Sequence, residues 1–477
     1  LMSIVVSLLL IAFLANCNMS RLGREFMPPL NEGTILDMPV TIPRASITQV
    51  TDDLKARDRV LRTFPEVELV VGKAGRAETP TDPAPPDMVE TVINLRPHEV
   101  WPKRELRYED ATAQTMLVLD QMTTRGWLAE IDNDVRQSLV NNATMYAVGE
   151  FDSQMRSHAL REMESFEAEL GITLVRSAID RTIDHLADSG HLLRTPSPSD
   201  LDSYAQQLTP SFGGPLAVSL DLVQTDQIIR QVVDWLSEKQ FVAPDADLLQ
   251  LDRSAVGEML QNLKELFGRK RETFFTQVLH ELEADRQQAW AARAQTLNWE
   301  LQDAAGPLYT SLAIDQLQKQ AVTLGLWKKQ EVGPQDLQEL RLSAEQPFSD
   351  DLFLWQKSKD DLLKEMDTVV QMPGWGNIWT QPIINRVDML ATGVRTMIGV
   401  KVYGDDLNEI QRVAEHVAQV LKGVQGAVDV FPDQIVGEGY LEIDIDREKA
   451  ARYGVNVGDI QDVIETALGG QPITTTV

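Results

Sequence analysis

The sequence first becomes patterned at TILDMPVTIP, residues 34–43, where β-branched and apolar residues run up to a proline and are typical of a strand. Ser46 then precedes ITQVTDDLKARDRVLRTF (47–64), whose apolar side chains recur at helical spacing, so a helix capped by Ser46 is predicted. EVELVVGK (66–73) and MVETVINLRP (88–97) read as two further strands. This order predicts a small α+β layer with the helix on one sheet face.

A similar pattern of strand-like and helical segments returns after residue 362. MIGVKVYG (397–404) and GYLEIDIDRE (439–448) are strand-like, while DLNEIQRVAEHVAQVLKGV (406–424) and VGDIQDVIETALGG (457–470) are typical of helices. Between the two α+β regions, strand signals fade and long amphipathic runs appear. We therefore predict one α+β module interrupted by an insertion, with four parts: residues 1–19, 20–122, a mostly α-helical insert at 123–361, and 362–477.

The first segment, LMSIVVSLLLIAFLANCNM at 1–19, carries no charge, and a membrane-spanning helix needs about 20 predominantly apolar residues. We predict the C-terminal part of a transmembrane helix here. A signal peptide, a lipoprotein cleavage box around Cys17 and a buried core helix are the alternatives, although the basic region of a signal peptide is missing. Leu1 is not an initiator methionine, so the chain is expected to be a fragment.

Composition and motifs exclude several function classes. The chain has 44 Lys and Arg against 72 Asp and Glu, a formal charge of −28, which argues against a nucleic-acid partner. A single cysteine rules out an internal disulfide and every cysteine-cluster metal site. Phosphate-loop, HExxH and GxSxG motifs are absent, and the six histidines are scattered, so the chain is not expected to be an enzyme.

Methionines occupy suggestive positions. Met38 lies in the first strand, Met88 opens the third strand, and Met389 follows NRVD after the insert. Glu90 shares the sheet face of Met88, and Asp82 lies just upstream. Converging thioethers favour Cu(I) or Ag(I) over harder ions, and carboxylates nearby would neutralise charge. From spacing alone, however, ordinary core packing explains a strand methionine better.

Four longer segments carry a family resemblance: LGREFMPPLNEGTILDMPVTIP (22–43), VGKAGRAETPTDPAPPDMVETVINLRP (71–97), NIWTQPIINRVDMLATGVRTMIGVKVYG (377–404) and DREKAARYGVNVGDIQDVI (446–464). They resemble the heavy-metal-efflux branch of the resistance-nodulation-division (RND) transporters, most closely the copper and silver exporters. The resemblance implies the end of a membrane helix followed by periplasmic porter subdomains, which are βαβ-type sandwiches, interrupted here by the helical insert.

The resemblance also implies a function and a site. In the copper and silver exporters three methionines of the second large periplasmic loop, which forms these porter subdomains, bind the ion. They match Met38, Met88 and Met389. Asp82 and Glu90 match acidic residues that flank the family's site and support it. The implied function is proton-driven efflux of heavy-metal cations, most closely Cu(I) or Ag(I). A divalent-cation exporter for zinc, cobalt or cadmium is the first alternative, and a membrane-anchored helical binding or scaffold protein is the second.

The implied setting is the inner membrane, with most of this chain in the periplasm. Family members are homotrimers that work with a periplasmic adaptor and an outer-membrane channel. The resemblance implies no cofactor, because the bound Cu(I) or Ag(I) ion is the transported substrate. TMLVLDQM (115–122) and DLLKEMDTVVQMPG (361–374) both resemble one helix of typical members, so the insert opens the chain at that helix. Its role stays open: a stalk, an adaptor contact or surface decoration.

Overall fold

The computed structural model describes residues 31–39, 46–75, 89–188, 190–218, 220–242, 258–328, 332–392, 398–427 and 442–469, with a few isolated positions besides. The chain divides into two compact units, one up to Gly399 and one from Val400 onward. The first unit contains a four-stranded sheet and a block of long helices at residues 108–351, called the helical block.

The described strands are β1 (Thr34–Asp37), β2 (Val67–Ala74), β3 (Val89–Leu95), β4 (Lys103–Glu105), β5 (Trp355–Gln356) and β6 (Trp379–Thr380). Four of them form an antiparallel sheet with the order β2-β3-β1-β6. This sheet contains residues from both sides of the helical block, because β1 precedes the block and its partner β6 follows it. A second, two-stranded sheet likewise joins β4 to β5 across the block.

Helix α1, Ile47–Leu61, begins where the sequence predicts, because the Ser46 hydroxyl accepts a hydrogen bond from the N–H of Gln49 at 3.2 Å. The helix lies on one sheet face, the face to which strand alternation directs Ile35 and its register partner Ile93. One apolar core joins the helix, the sheet and the segment after the block: Ile35, Leu61, Phe64, Val67, Ile93, Trp101, Leu362, Met366 and Val370.

The region predicted to be a helical insert is helical wherever it is described, apart from short connections and strand β5 near its end. Its longest helices contain 56 and 66 residues, so at 1.5 Å per residue they extend about 84 and 99 Å. The helices are α2 (Tyr108–Thr124), α3 (Asn133–Asp188), α4 (Pro198–Val218), α5 (Leu222–Glu238), α6 (Glu258–Thr323) and α7 (Pro334–Asp351).

Close backbone contact and aromatic packing hold this helical block together. A Cβ atom added at Gly171 of α3 would lie 2.5 Å from the carbonyl oxygen of Gly213 on α4, so glycine lets these helices cross. The rings of Tyr204 and Trp235 stack at 4.3 Å between centroids. Helix α3 has 18 buried positions along its length, all of them apolar side chains except Thr144, Gly171 and Thr182. This continuous buried face is how a helix this long stays packed.

The two segments that resemble a single helix have different partners. Helix α2 buries Val118, Leu119 and Met122 in the core of the helical block. Helix α8, Lys359–Val369, instead buries Leu362 and Met366 against the sheet. The layer on the sheet is therefore completed by the segment after the block, and the boundaries placed at 122/123 and 361/362 remain predictions.

Buried ion pairs join the sheet to the helical block. Arg104 on β4 is fully buried; its Nε lies 2.7 Å from Glu66 Oε1, and its Nη2 lies 2.8 Å from Glu365 Oε2. Arg156 of α3 donates to the same Glu365 at 2.6 Å, and Lys357 Nζ lies 3.3 Å from it. These contacts fix the long helix against the sheet, because a charge removed from water requires its partner.

In the unit from Val400, the helices follow the sequence prediction and the described strand segments do not. Helix α10, Leu407–Leu421, is capped by Asp406, whose Oδ1 accepts from the N–H of Glu409 at 2.9 Å. Residues 398–404 and 442–446 were expected in strands, but they have no strand assignment. A strand requires a ladder of hydrogen bonds to a neighbouring strand, and within the described residues no such ladder includes these two segments. This unit also contains α11 (Arg447–Arg452) and α12 (Val457–Ile464), which continues as a π-helix at Glu465–Gly469; α9 (Pro382–Thr392) lies in the first unit.

Among the described residues, none of the helices combines a membrane-spanning length with a sufficiently apolar composition. The predicted transmembrane segment, 1–19, lies almost wholly outside the described residues.

Candidate metal centre

Met38 occupies the position directly after β1 and is fully buried. Its backbone N–H donates to the carbonyl oxygen of Ile378 at 2.9 Å, so the pairing between β1 and β6 continues through this residue. Strand alternation places Met38 on the same face as Leu36 and on the opposite face from Asp37. That face is the one turned away from α1, since Ile35 on the other face packs against α1.

Glu90 lies on the neighbouring strand and faces the same side. The antiparallel register pairs Asp37 with Thr91, so the next step sets Met38 opposite Glu90. The Glu90 carboxylate has a partner already, because Lys73 Nζ lies 2.8 Å from Glu90 Oε2. The structure therefore brings one predicted acidic residue, Glu90, next to Met38, and Lys73 largely balances the charge of its carboxylate.

Met389 lies on α9, Pro382–Thr392, which contacts β1. The Glu32 carboxylate, just before β1, anchors the start of this helix: it accepts from the N–H of Ile383 at 2.9 and 3.0 Å and from that of Ile384 at 3.2 Å. A carboxylate is favourable there because the N–H groups of a first helical turn lack helical partners. The Met389 side chain is 38% exposed. Two of the three predicted methionines thus lie on elements that contact each other.

The sulfur of Met389 has a polar neighbour that sequence reasoning missed. Asn385, one helical turn earlier, directs its Nδ2 to Met389 Sδ at 3.5 Å. Asn385 is only 6% exposed, and its Oδ1 has no hydrogen-bond partner in the described part of the chain. The spacing of four residues in NRVDM was the available signal, since such residues lie on one helix face.

Met88 and Asp82 lie outside the described residues. Met88 immediately precedes Val89, the first residue of β3. Both residues therefore stay predictions from the family resemblance.

A buried polar network holds the strand that ends at Met38. Arg57 of α1 donates to both carboxylate oxygens of Asp37, at 2.5 and 2.9 Å, and to Asn377 Oδ1 at 2.9 Å. Asn377 in turn donates to Asp367 Oδ1 at 2.9 Å. Burial raises the pKa of Asp37, and the nearby Arg57 opposes that rise. The network ties β1 to the segments after the helical block, and so positions Met38 beside β6.

Within the described ranges, no three His, Cys, Asp or Glu side chains are grouped closely enough to hold a metal ion. The side chains that the described elements of the candidate site present are instead thioethers, an ion-paired carboxylate and a carboxamide. Thioethers are soft, neutral donors that suit monovalent copper and silver.

Comparison with protein families decides the broader assignment. The sequence pattern of the AcrB/AcrD/AcrF family matches residues 1–162 and 351–477. The chain belongs to this family. The resemblance to RND transporters inferred from the motifs is thereby confirmed, as is the mixed α+β fold class with its helical insert. The matched ranges contain every residue predicted for the metal site and leave out 163–350.

Similar proteins are named for cation efflux and metal resistance. SilA of Salmonella typhimurium is 44% identical over 118 residues, and the cation efflux system protein CusA of Escherichia coli (strain K12) is 41% identical over 118 residues; each match covers 25% of this chain and 11% of the relative. The cobalt-zinc-cadmium resistance protein CzcA of Cupriavidus metallidurans is 44% identical over 101 residues, 21% of this chain and 10% of CzcA. The matched part thus spans about a tenth of each relative's length.

Proposed function

We propose that this chain forms part of a heavy-metal cation efflux transporter that binds Cu(I) or Ag(I) through Met38, Met88 and Met389. The observation that carries the proposal is the placement of Met38 at the end of β1 while Met389 lies on α9, the helix that contacts this strand. Family membership and similarity to cation efflux and metal resistance proteins support the transport function.

The donor set supports a monovalent soft ion. Thioether sulfur is polarisable and uncharged, so it favours Cu(I) and Ag(I) and competes poorly for hard cations. Its binding is also insensitive to pH, because no proton must leave a thioether before it can ligate. Glu90, paired with Lys73 at 2.8 Å, would lie close to the ion as a supporting carboxylate without ligating it, and Lys73 already balances most of its charge.

The burial of the two described methionines suggests an order of binding. Met389 is 38% exposed while Met38 is fully buried. An arriving ion therefore meets Met389 first. Separation of α9 from the sheet admits the ion, and Met38 binds it when the two elements close again. Closure around the ion adds sulfur ligands and opening removes them, so the same movement that captures the ion can release it.

The rest of the assembly belongs to the proposal as well. We expect an inner-membrane homotrimer driven by the proton gradient, with a periplasmic adaptor and an outer-membrane channel as partners. A divalent cation is the alternative cargo, and similarity to the cobalt-zinc-cadmium resistance protein CzcA is the observation that favours it.

A competition titration of the purified chain with Cu(I) and Zn(II), under reducing conditions, tests the cargo. We expect Cu(I) to be preferred and both Met38→Leu and Met389→Leu to weaken Cu(I) binding strongly, since each removes a sulfur while keeping the side-chain volume. Met366→Leu is the matched control, because Met366 is equally buried but lies in the core between α8 and the sheet. A preference for zinc that Met38→Leu leaves undiminished would defeat the monovalent assignment.

A further inference from the structure

The buried amide of Asn385 carries an inference that rests on the proposed function and adds a residue to it. Asn385 is 6% exposed, so its polar atoms are largely removed from water. Its Nδ2 lies 3.5 Å from Met389 Sδ, whereas its Oδ1 makes no hydrogen bond within the described residues. A buried amide that leaves its oxygen unpaired is unfavourable, so its orientation calls for a reason.

The contact with sulfur supplies that reason. If the amide were turned over, its oxygen would face the lone pairs of the thioether, and two electron-rich atoms would repel each other. With the N–H toward sulfur, one lone pair of Met389 Sδ accepts a weak hydrogen bond. Asn385 and Met389 are four residues apart on α9, so they lie on one helix face. Their contact therefore does not depend on how the helix packs against the sheet.

Methionine gains most from such a contact, because its side chain has three rotatable bonds and few intrinsic restraints. Met389 is partly exposed, so packing alone does not fix the position of its sulfur. The Asn385 amide holds one lone pair and leaves the other free for a ligand. The Met389 side chain has therefore lost conformational entropy before the metal binds, so metal binding removes less of it.

We propose that Asn385 is a positioning residue, which holds the Met389 sulfur in a fixed orientation so that its remaining lone pair can capture a soft monovalent cation. Asn385 acts through the thioether and does not ligate the ion, because an amide oxygen is a hard donor that suits Cu(I) and Ag(I) poorly. The role parallels the hydrogen bonds that orient ligand side chains in other metal sites.

The first test is Ag(I) titration of the purified chain. Asn385→Leu is expected to weaken Ag(I) binding about tenfold, at the lower end of the range seen when a ligand's orienting partner is removed. Met389→Leu is expected to weaken it more, since the ligand itself is lost. If Met389→Leu leaves Ag(I) binding unchanged, the proposed function fails; if Met389→Leu weakens binding and Asn385→Leu does not, only the positioning role fails.

The second test reads the sulfur directly in the metal-free protein, by NMR of ¹³C-methyl-labelled methionine. In Asn385→Leu the Met389 methyl resonance is expected to shift toward a rotamer-averaged position, while the resonance of Met366 stays in place and reports an intact fold. Asn385→Asp, which keeps the shape of the side chain and removes the N–H donor, is expected to give the same methyl shift. An unmoved Met389 methyl in both variants would overturn the positioning role whatever their Ag(I) affinities.

Discussion

The sheet and the helical block of the first unit are stabilised in opposite ways. In the helical block the buried residues are almost all apolar, and the ion pairs between its own helices are partly exposed, such as Arg125 with Glu339 at 3.2 Å. Around the sheet, charged side chains are fully buried: Arg57 with Asp37, and Arg104 with Glu66. Apolar packing joins the helices along extended faces, whereas the short strands β5 and β6 must join the sheets across the whole block.

Specific polar contacts join segments that are far apart in the chain. Arg57 and Asn377 are 320 residues apart in the chain, and Arg104 and Glu365 are 261 apart, yet both pairs are hydrogen-bonded in buried positions. A buried charge tolerates few alternative partners, so it selects one register where apolar packing would accept several. We infer that these networks restore the interrupted module, and with it the position of Met38.

The largest effect should come from removing Glu365, the carboxylate shared by Arg104, Arg156 and Lys357. Glu365→Leu leaves the fully buried Arg104 with only part of its compensation, so we expect a loss of about 3 to 5 kcal/mol in the free energy of unfolding. Chemical denaturation followed by tryptophan fluorescence measures it. A loss below that of an ordinary surface substitution would show that the junction does not depend on this cluster.

The same carboxylate predicts a dependence on acid pH. Burial alone would raise the pKa of Glu365, but Arg104, Lys357 and Arg156 lower it to about 2. The unfolded-state pKa is near 4.3, so the folded state holds its proton less tightly, and the stability due to ionised Glu365 is complete above about pH 4.5. As pH falls from there toward 2, that stability is lost, by up to about 3 kcal/mol.

Glu365→Gln removes the titrating group and supplies the control for this pH dependence. Its denaturation midpoint should start lower at pH 7 and fall less steeply between pH 5 and 2 than that of the parent chain. Parallel curves for the two proteins would assign the acid sensitivity to other groups.

In the helical block the corresponding weak point is steric. Gly171→Ala would place a Cβ 2.5 Å from the carbonyl oxygen of Gly213, so α3 and α4 must separate. We expect a loss of about 1 to 3 kcal/mol, typical of overpacking a close contact. Gly149→Ala, on the same helix with open space around its Cβ position, is the matched control and should be neutral or slightly stabilising. Equal effects at both glycines would contradict the close crossing.

The smallest effect should come from the surface ion pairs of the block. Glu339→Ala removes the partner of Arg125, but the Glu339 side chain is 75% exposed, so the expected change is below about 0.5 kcal/mol. Thermal unfolding at low and high salt measures it. A change as large as that of Glu365→Leu would erase the proposed difference between the two regions.

Local signals made much of the fold predictable. The Ser46 cap, the two strands after it, the helical character of the insert and the capped helix at 407–421 all follow from patterns within a few residues. The strands expected at 397–404 and 439–448 share the same alternation, yet the described parts of both lie outside the strands of the structure. Alternation shows that a segment can pair; it does not show which neighbour is available.

The candidate site was only partly predictable, for a related reason. Arg57 lies between Leu54 and Leu61 on the buried face of α1, where a charge is a visible anomaly, but its partner Asn377 has no local signal. The methionines themselves came from family resemblance, because a thioether in a strand looks the same whether it packs or ligates. Asn385 required the structure, since only its burial and its contact with Met389 distinguish it from a surface residue.

The central claim is that thioether sulfurs on separate parts of the chain, Met38 and Met389 among them, bind one soft cation. X-ray absorption at the copper edge of the Cu(I)-loaded chain tests this most directly. We predict a coordination shell made of sulfur, which loses one sulfur in Met38→Leu and one in Met389→Leu but is unchanged in Met366→Leu. A shell of nitrogen and oxygen, or a sulfur shell that neither Met38→Leu nor Met389→Leu alters, would contradict the account.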